Sequence, residues 1–112
     1  MTARRGEIWI VDFGEPVGTE RAGRRPSVVI SADRLNESRA GVVIVIPCTT
    51  RYRGLPSHVE LDPKYSGLDE VSYSKCEDVK SVSGLRLISK LGEADDVAMF
   101  AMTQALRFLL DV

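Results

Sequence analysis

Gly18-Thr19-Glu20-Arg21-Ala22-Gly23-Arg24-Arg25-Pro26-Ser27-Val28-Val29-Ile30-Ser31 joins a glycine-bounded loop to a short apolar strand. The glycines leave the loop free to adopt geometries closed to other residues. That freedom ends at Arg25, because Pro26 pushes the residue before it into an extended conformation. Residues 27–31 then run without polar alternation between Val28 and Ile30, the pattern of a strand covered on both faces. Arg25 is thus held by backbone geometry, while Glu20 rides on the loop. A fixed arginine beside a swinging carboxylate suits a flexible anionic substrate. A salt-bridged hairpin would be written the same way.

Outward from this stretch, strands predominate. Residues 7–13 (EIWIVDF) are rich in β-branched and aromatic side chains and stop at Gly14. Residues 42–48 form a third strand, with Pro47 marking a bulge or an edge near its end. A polar segment, residues 32–39, separates it from the second strand as a helical turn or loop. Residues 58–62 alternate as a half-exposed strand, and residues 63–69 turn. Strands are expected again over 71–76 and 78–82, then a short helical turn and a strand over 85–91. From Asp95 and Asp96 the apolar residues Val97, Met99, Met102, Ala105, Leu106, Leu109 and Leu110 follow helical spacing. The acidic start and Arg107 near the end complement the helix dipole, and Met99, Met102 and Leu106 read as core. This order predicts an α+β fold, mainly β: a small, strongly curved antiparallel sheet or barrel with a C-terminal helix.

A chain of 112 residues fits one domain, spanning 1–112. Its 44% hydrophobic and 28% charged composition is that of an ordinary globule. No apolar run approaches the roughly 20 residues that span a membrane, and residues 1–6 lack an apolar leader. The expected location is the cytoplasm, with no membrane partner. Cys48 and Cys76 lie in strand-like apolar segments and read as buried, reduced thiols. The net charge is −1, so no overall pull toward nucleic acid exists. Residues 1–60 nevertheless carry 9 Lys/Arg against 7 Asp/Glu, and the remainder 6 against 9. The excess gathers at Arg21, Arg24, Arg25, Arg51 and Arg53, weak support for a polyanionic partner.

Several chemistries are set aside by what is missing. No phosphate-cradling GxxxxGK[ST] or dinucleotide fingerprint occurs. His58, the single histidine, stands in an alternating strand and reads as a packing or surface residue rather than a catalytic base. The adjacent carboxylates Asp69-Glu70 and Glu77-Asp78 would point to opposite faces of a strand, which opposes shared metal ligation. No metal or cofactor is expected. If the strand 42–48 pairs beside the one starting at Pro26, Thr49 approaches Arg25. An arginine fork and a threonine hydroxyl make a phosphate cradle. With a side-chain pKa above about 12, arginine stabilises a developing phosphorane dianion better than it donates a proton. Glu20 is the general base if the loop carries it to a ribose 2′-hydroxyl.

Residues 5–13, Gly18-Thr19-Glu20, residues 23–31, Pro47-Cys48-Thr49-Thr50, residues 55–61 and residues 76–82 together resemble the MazF/PemK toxin family. The likeness extends through Arg86-Leu87 and Leu91-Gly92, and so over nearly the whole chain in order. It implies an SH3-like or CcdB-like barrel with a terminal helix, a homodimer, and a metal-independent endoribonuclease neutralised by a cognate antitoxin. Such enzymes cut single-stranded RNA at short sequences, leaving a 2′,3′-cyclic phosphate and a 5′-hydroxyl. Arg25 and Thr49 match the family's catalytic arginine and threonine, and Glu20 a loop acid of variable role. Thr19, Leu55, Asp78 and Lys80 fall where relatives contact RNA, with Arg24 and Thr50 beside them. Asp78 stands where many members carry glutamine, so an anionic acceptor replaces an amide and base recognition differs. The competing function is a non-catalytic, CcdB-like toxin that binds a protein such as DNA gyrase.

Overall fold

A computed structural model describes residues 2–15 and 23–112. Among the described residues, seven strands form one curved antiparallel sheet: β1 (Glu7–Asp12), β2 (Arg24–Val29), β3 (Val42–Thr49), β4 (His58–Leu61), β5 (Ser72–Lys75), β6 (Lys80–Ser83) and β7 (Leu87–Glu93). Short helical turns α1 (Asp33–Asn36) and α2 (Pro63–Ser66) interrupt them, and α3 (Asp96–Leu110) closes the fold. The order across the sheet is β4-β5-β3-β2-β1-β7, with β6 also on β3. β4 and β7 end that order. The sheet therefore curls in the manner of a barrel without its ladder closing on itself.

Pairing is less sequential than a simple meander. β3 takes three partners: β2 on one side, and β6 and then β5 on the other. The second side passes from β6, last paired at Val45, to β5, first paired at Cys48. Pro47, which has no N–H to give, stands in that gap while facing Ser27 of β2. Proline here marks a change of partner. The register irregularities lie instead between β1 and β7, at Ile8/Trp9 and Ile10/Val11.

Alternation along the strands builds a core on each face of the sheet. One contains Ile8, Val28, Ile46, Val59 and Leu61, covered by Ala98 and Met102 of α3. The other contains Trp9, Val11, Phe13, Val29, Val43, Val45 and Val82. Because β2 and β3 serve both, they read as unbroken apolar runs. α3 is capped by Asp95, whose carboxylate accepts the Ala98 N–H at 2.7 Å, and Arg107 Nε donates to the Val112 carbonyl at its far end. Met102 is fully buried, and Met99 and Leu106 pack against the same core.

Two expectations over residues 69–82 change. Cys76–Asp78 form a 3-10 turn rather than strand, so Cys76 is buried from a turn and Glu77 and Asp78 do not alternate across a sheet. Asp69 and Glu70 likewise precede β5 instead of lying in it. The apolar contact that buries Cys76 belongs to the tertiary core, which local pattern does not encode.

Candidate active site

The edge of the second core face carries the arginine and threonine. Val11 pairs with Arg25 across β1 and β2. The β2–β3 register runs Val29↔Val45, Val28↔Ile46, Ser27↔Pro47. The pairing ends at Ser27↔Pro47, and alternation two residues beyond it puts Arg25 and Thr49 on the same face as Ser27 and Pro47. Thr49 in turn pairs with Tyr73 of β5, and Tyr73 with Glu60 of β4. Directly opposed residues share a face, so Thr49, Tyr73 and Glu60 form one transverse row, with Arg25 on the same face. Lys80 faces the same side, opposite Val45, with its ammonium 5.5 Å from the centre of the Phe13 ring.

Local chemistry prepares the threonine. Thr49 Oγ accepts the Arg51 N–H at 3.2 Å, which leaves its own O–H to donate outward. Arg25 is exposed and Thr49 half-buried. A guanidinium and a hydroxyl on one face suit binding of a phosphodiester.

The other residues singled out from sequence divide. Strand alternation sends Arg24, opposite Asp12, to the face away from Arg25. Thr50 follows the end of β3 and is exposed. Leu55 is 43% exposed in the β3–β4 loop, its carbonyl accepting the His58 N–H. Asp78 is ion-paired with Lys75 at 3.1 Å. Thr19 and Glu20 lie outside the described residues. Among the described residues, no three His, Cys, Asp or Glu side chains gather as metal ligands. No described helix is long and apolar enough to cross a membrane.

His58 departs from a simple packing role. Its side chain is only 3% exposed, with Nε2 2.9 Å from Glu77 Oε2, while Ser57 donates to the other carboxylate oxygen at 2.9 Å. Burial opposes ionisation of Glu77, but hydrogen bonds from His58, the backbone and Ser57 together hold its carboxyl below the usual range. An ionised carboxylate only accepts, so Nε2 carries the hydrogen and, in the neutral ring, Nδ1 is an acceptor. That Nδ1 is buried without a hydrogen-bond partner. Tyr73, Glu60 and His58 were not found from sequence. Period-two alternation is visible in residues 72–75, but the partner strand that aligns Tyr73 with Thr49 is not.

Between β4 and α3 runs an apolar groove of about 800 Å³, walled by Leu55, Pro56, Val59, Phe100, Phe108 and Leu109. Phe100 and Phe108 are 66% and 85% exposed there. The helix thus has a second apolar face beyond the one that covers the core.

Comparison with known proteins agrees with the fold. Residues 4–110 match the sequence profile described as PemK-like, MazF-like toxin of type II toxin-antitoxin system. MazF5 of Mycobacterium tuberculosis is 38% identical over 99% of this chain and 97% of its own length. Endoribonuclease EndoA of Bacillus subtilis is 32% identical over 98% of this chain and 96% of its own. The solved MazF of Deinococcus radiodurans superposes with a TM-score of 0.86 at 25% identity, covering 100% and 99% of the two chains. In a MazE–MazF structure from the same organism the TM-score is 0.81 at 25% identity, covering 100% and 98%. The chain belongs to the PemK-like, MazF-like toxin family of type II toxin–antitoxin systems.

Proposed function

We propose that this protein is an endoribonuclease toxin that cleaves single-stranded RNA at a short sequence, with Arg25 and Thr49 as its catalytic residues. The observation that supports the reading is the β2–β3 pairing, whose alternation puts Arg25 and Thr49 on one face, in a chain whose relatives include a named endoribonuclease. In the reaction the ribose 2′-oxygen attacks the adjacent phosphorus and the bond from phosphorus to the 5′-oxygen breaks. The products are a 2′,3′-cyclic phosphate and a 5′-hydroxyl. Arg25 neutralises the charge that builds on the phosphoryl oxygens, and Thr49 donates its hydroxyl hydrogen to one of them. Glu20 takes the 2′-hydroxyl proton, and the departing 5′-oxygen gains one from water. In-line alignment of the 2′-oxygen with the leaving oxygen is resisted by A-form geometry, which favours unpaired RNA.

Lys80, Leu55, Asp78 and Thr19 contact the RNA around this centre, with Arg24 and Thr50 at its margin. A second copy of the chain covers the groove between β4 and α3. A cognate antitoxin neutralises the toxin, as the MazE–MazF pair of the related Deinococcus protein suggests. The protein works in the cytoplasm, where its substrate is made. Relatives named as endoribonucleases favour this reading over a toxin that poisons a topoisomerase.

The test is incubation of the purified protein with a long RNA, followed by mapping of the cut ends. Discrete cuts bearing cyclic phosphates are expected, unchanged by EDTA. Arg25→Ala should slow cleavage by about 10²-fold or more, the scale on which loss of one preorganised donor acts. Parental rates in that variant would remove Arg25 from the mechanism.

A further inference from the structure

Beside the proposed cleavage centre lies a cleft of about 310 Å³ that includes Tyr52, Leu55, Pro56, His58, Glu60 and Tyr73. Its volume is at the low end of small-ligand sites. Tyr73 is the direct cross-strand neighbour of Thr49, and Glu60 the next residue in the row. Tyr52 is 73% exposed, and its ring centre lies 5.5 Å from that of Tyr73, tilted by 52°. Gly54 makes this possible: its φ is +64°, and a Cβ there would stand 3.1 Å from the Tyr52 hydroxyl. The loop thus holds an open aromatic face over the row.

The polar lining is equally specific. Among the described residues, the single buried side-chain nitrogen or oxygen without a partner is His58 Nδ1. It is closed to solvent, and Glu77 fixes the ring through Nε2, so His58 serves as a rigid part of the wall. Glu60 adds a carboxylate to the same wall. An acceptor therefore stands at the polar edge, and aromatic carbon supplies the flat one.

We infer that this cleft receives one unpaired nucleobase of the substrate, stacked on Tyr52 and selected for an exocyclic amino group that donates to the Glu60 carboxylate. This rests on the ribonuclease reading and adds its base-selecting residues. The base is adenine, cytosine or guanine and lies within a nucleotide or two of the cut bond, because Tyr73 adjoins Thr49. Uracil, which carries carbonyl groups in place of an amino group, is disfavoured. A site built to accept a hydrogen bond discriminates strongly against an analogue that lacks the donor.

The experiment begins with cut-end mapping by the parent protein on a long RNA, followed by kinetics on a short oligoribonucleotide of the mapped sequence. One flanking position should require an amino-bearing base. Replacing that base with uracil should raise KM tenfold or more. Tyr52→Ala, at an exposed ring, should raise KM about tenfold and alter kcat little, as loss of one stacked base does. Glu60→Gln should narrow the discrimination against uracil at that position alone, with thermal melting reporting its fold. KM within twofold of the parent for Tyr52→Ala would overturn the inference. So would an unchanged base preference in folded Glu60→Gln. Failure of the parent protein to cut any RNA would instead overturn the ribonuclease reading itself.

Discussion

Glu77 joins Ser57 and His58 through its two carboxylate oxygens, and its ionisation has a measurable consequence. Both Glu77 and the buried Glu7 have carboxyls held below the usual range. For Glu7, burial acts upward but is outweighed by the Arg4 N–H, the Trp9 indole and Lys90. A carboxylate lowered in the folded state contributes its full stability above the unfolded value of about 4.3 and loses it as pH falls through the folded value. Melting temperature should therefore drop most steeply below about pH 4.3, and Glu77→Gln should flatten that drop. A variant curve parallel to the parent would show that Glu77 has no such part. Arg25 was legible in the sequence because proline acts on its immediate neighbour. His58 was not, since its burial depends on Glu77, nineteen residues away, meeting it in space.

Gly67 and Gly92 show how one short turn is fixed to the sheet. Gly67 ends α2 at φ +73°, and a Cβ there would fall 1.9 Å from the Leu91 carbonyl oxygen. At Gly92 it would fall 2.4 Å from the Ser66 carbonyl carbon. Backbone meets backbone, and neither side can rotate away. Gly92→Ala should destabilise the protein by about 1–3 kcal/mol, the usual range for overpacking, read as a lower midpoint in urea. An unchanged midpoint would mean that α2 shifts freely on β7. Elements with a clear period were readable before the fold was known: alternating residues 58–61 and the capped helix after Asp95. The 3-10 turn at Cys76–Asp78 was not, because an apolar residue that points into a core from a turn resembles one in a strand. Pro47 was recognised as an interruption, but its meaning needed the positions of both β5 and β6.

For the molecule as a whole, the uncovered apolar face of α3 and the transverse row on the sheet have separate consequences. If a second copy covers the groove, a charge placed there must keep the copies apart. Phe108→Glu should shift the protein from dimer to monomer in sedimentation, with the fold retained because Phe108 is 85% exposed. A variant that sediments as the parent does would assign the groove to something else. The family fold was legible because the short quoted stretches occur in order along nearly the whole chain; which face of α3 stays bare was not, since both faces are apolar. The proposed site draws Arg25, Thr49, Glu60 and Tyr73 from four different strands. During synthesis, Arg25 and Thr49 join the chain well before β5 exists to flank Thr49, and β7 must still be made and return to β1. A growing chain thus holds the parts of its proposed cutting centre without their arrangement. If this centre cuts as proposed, the message being read is spared until the chain is nearly complete.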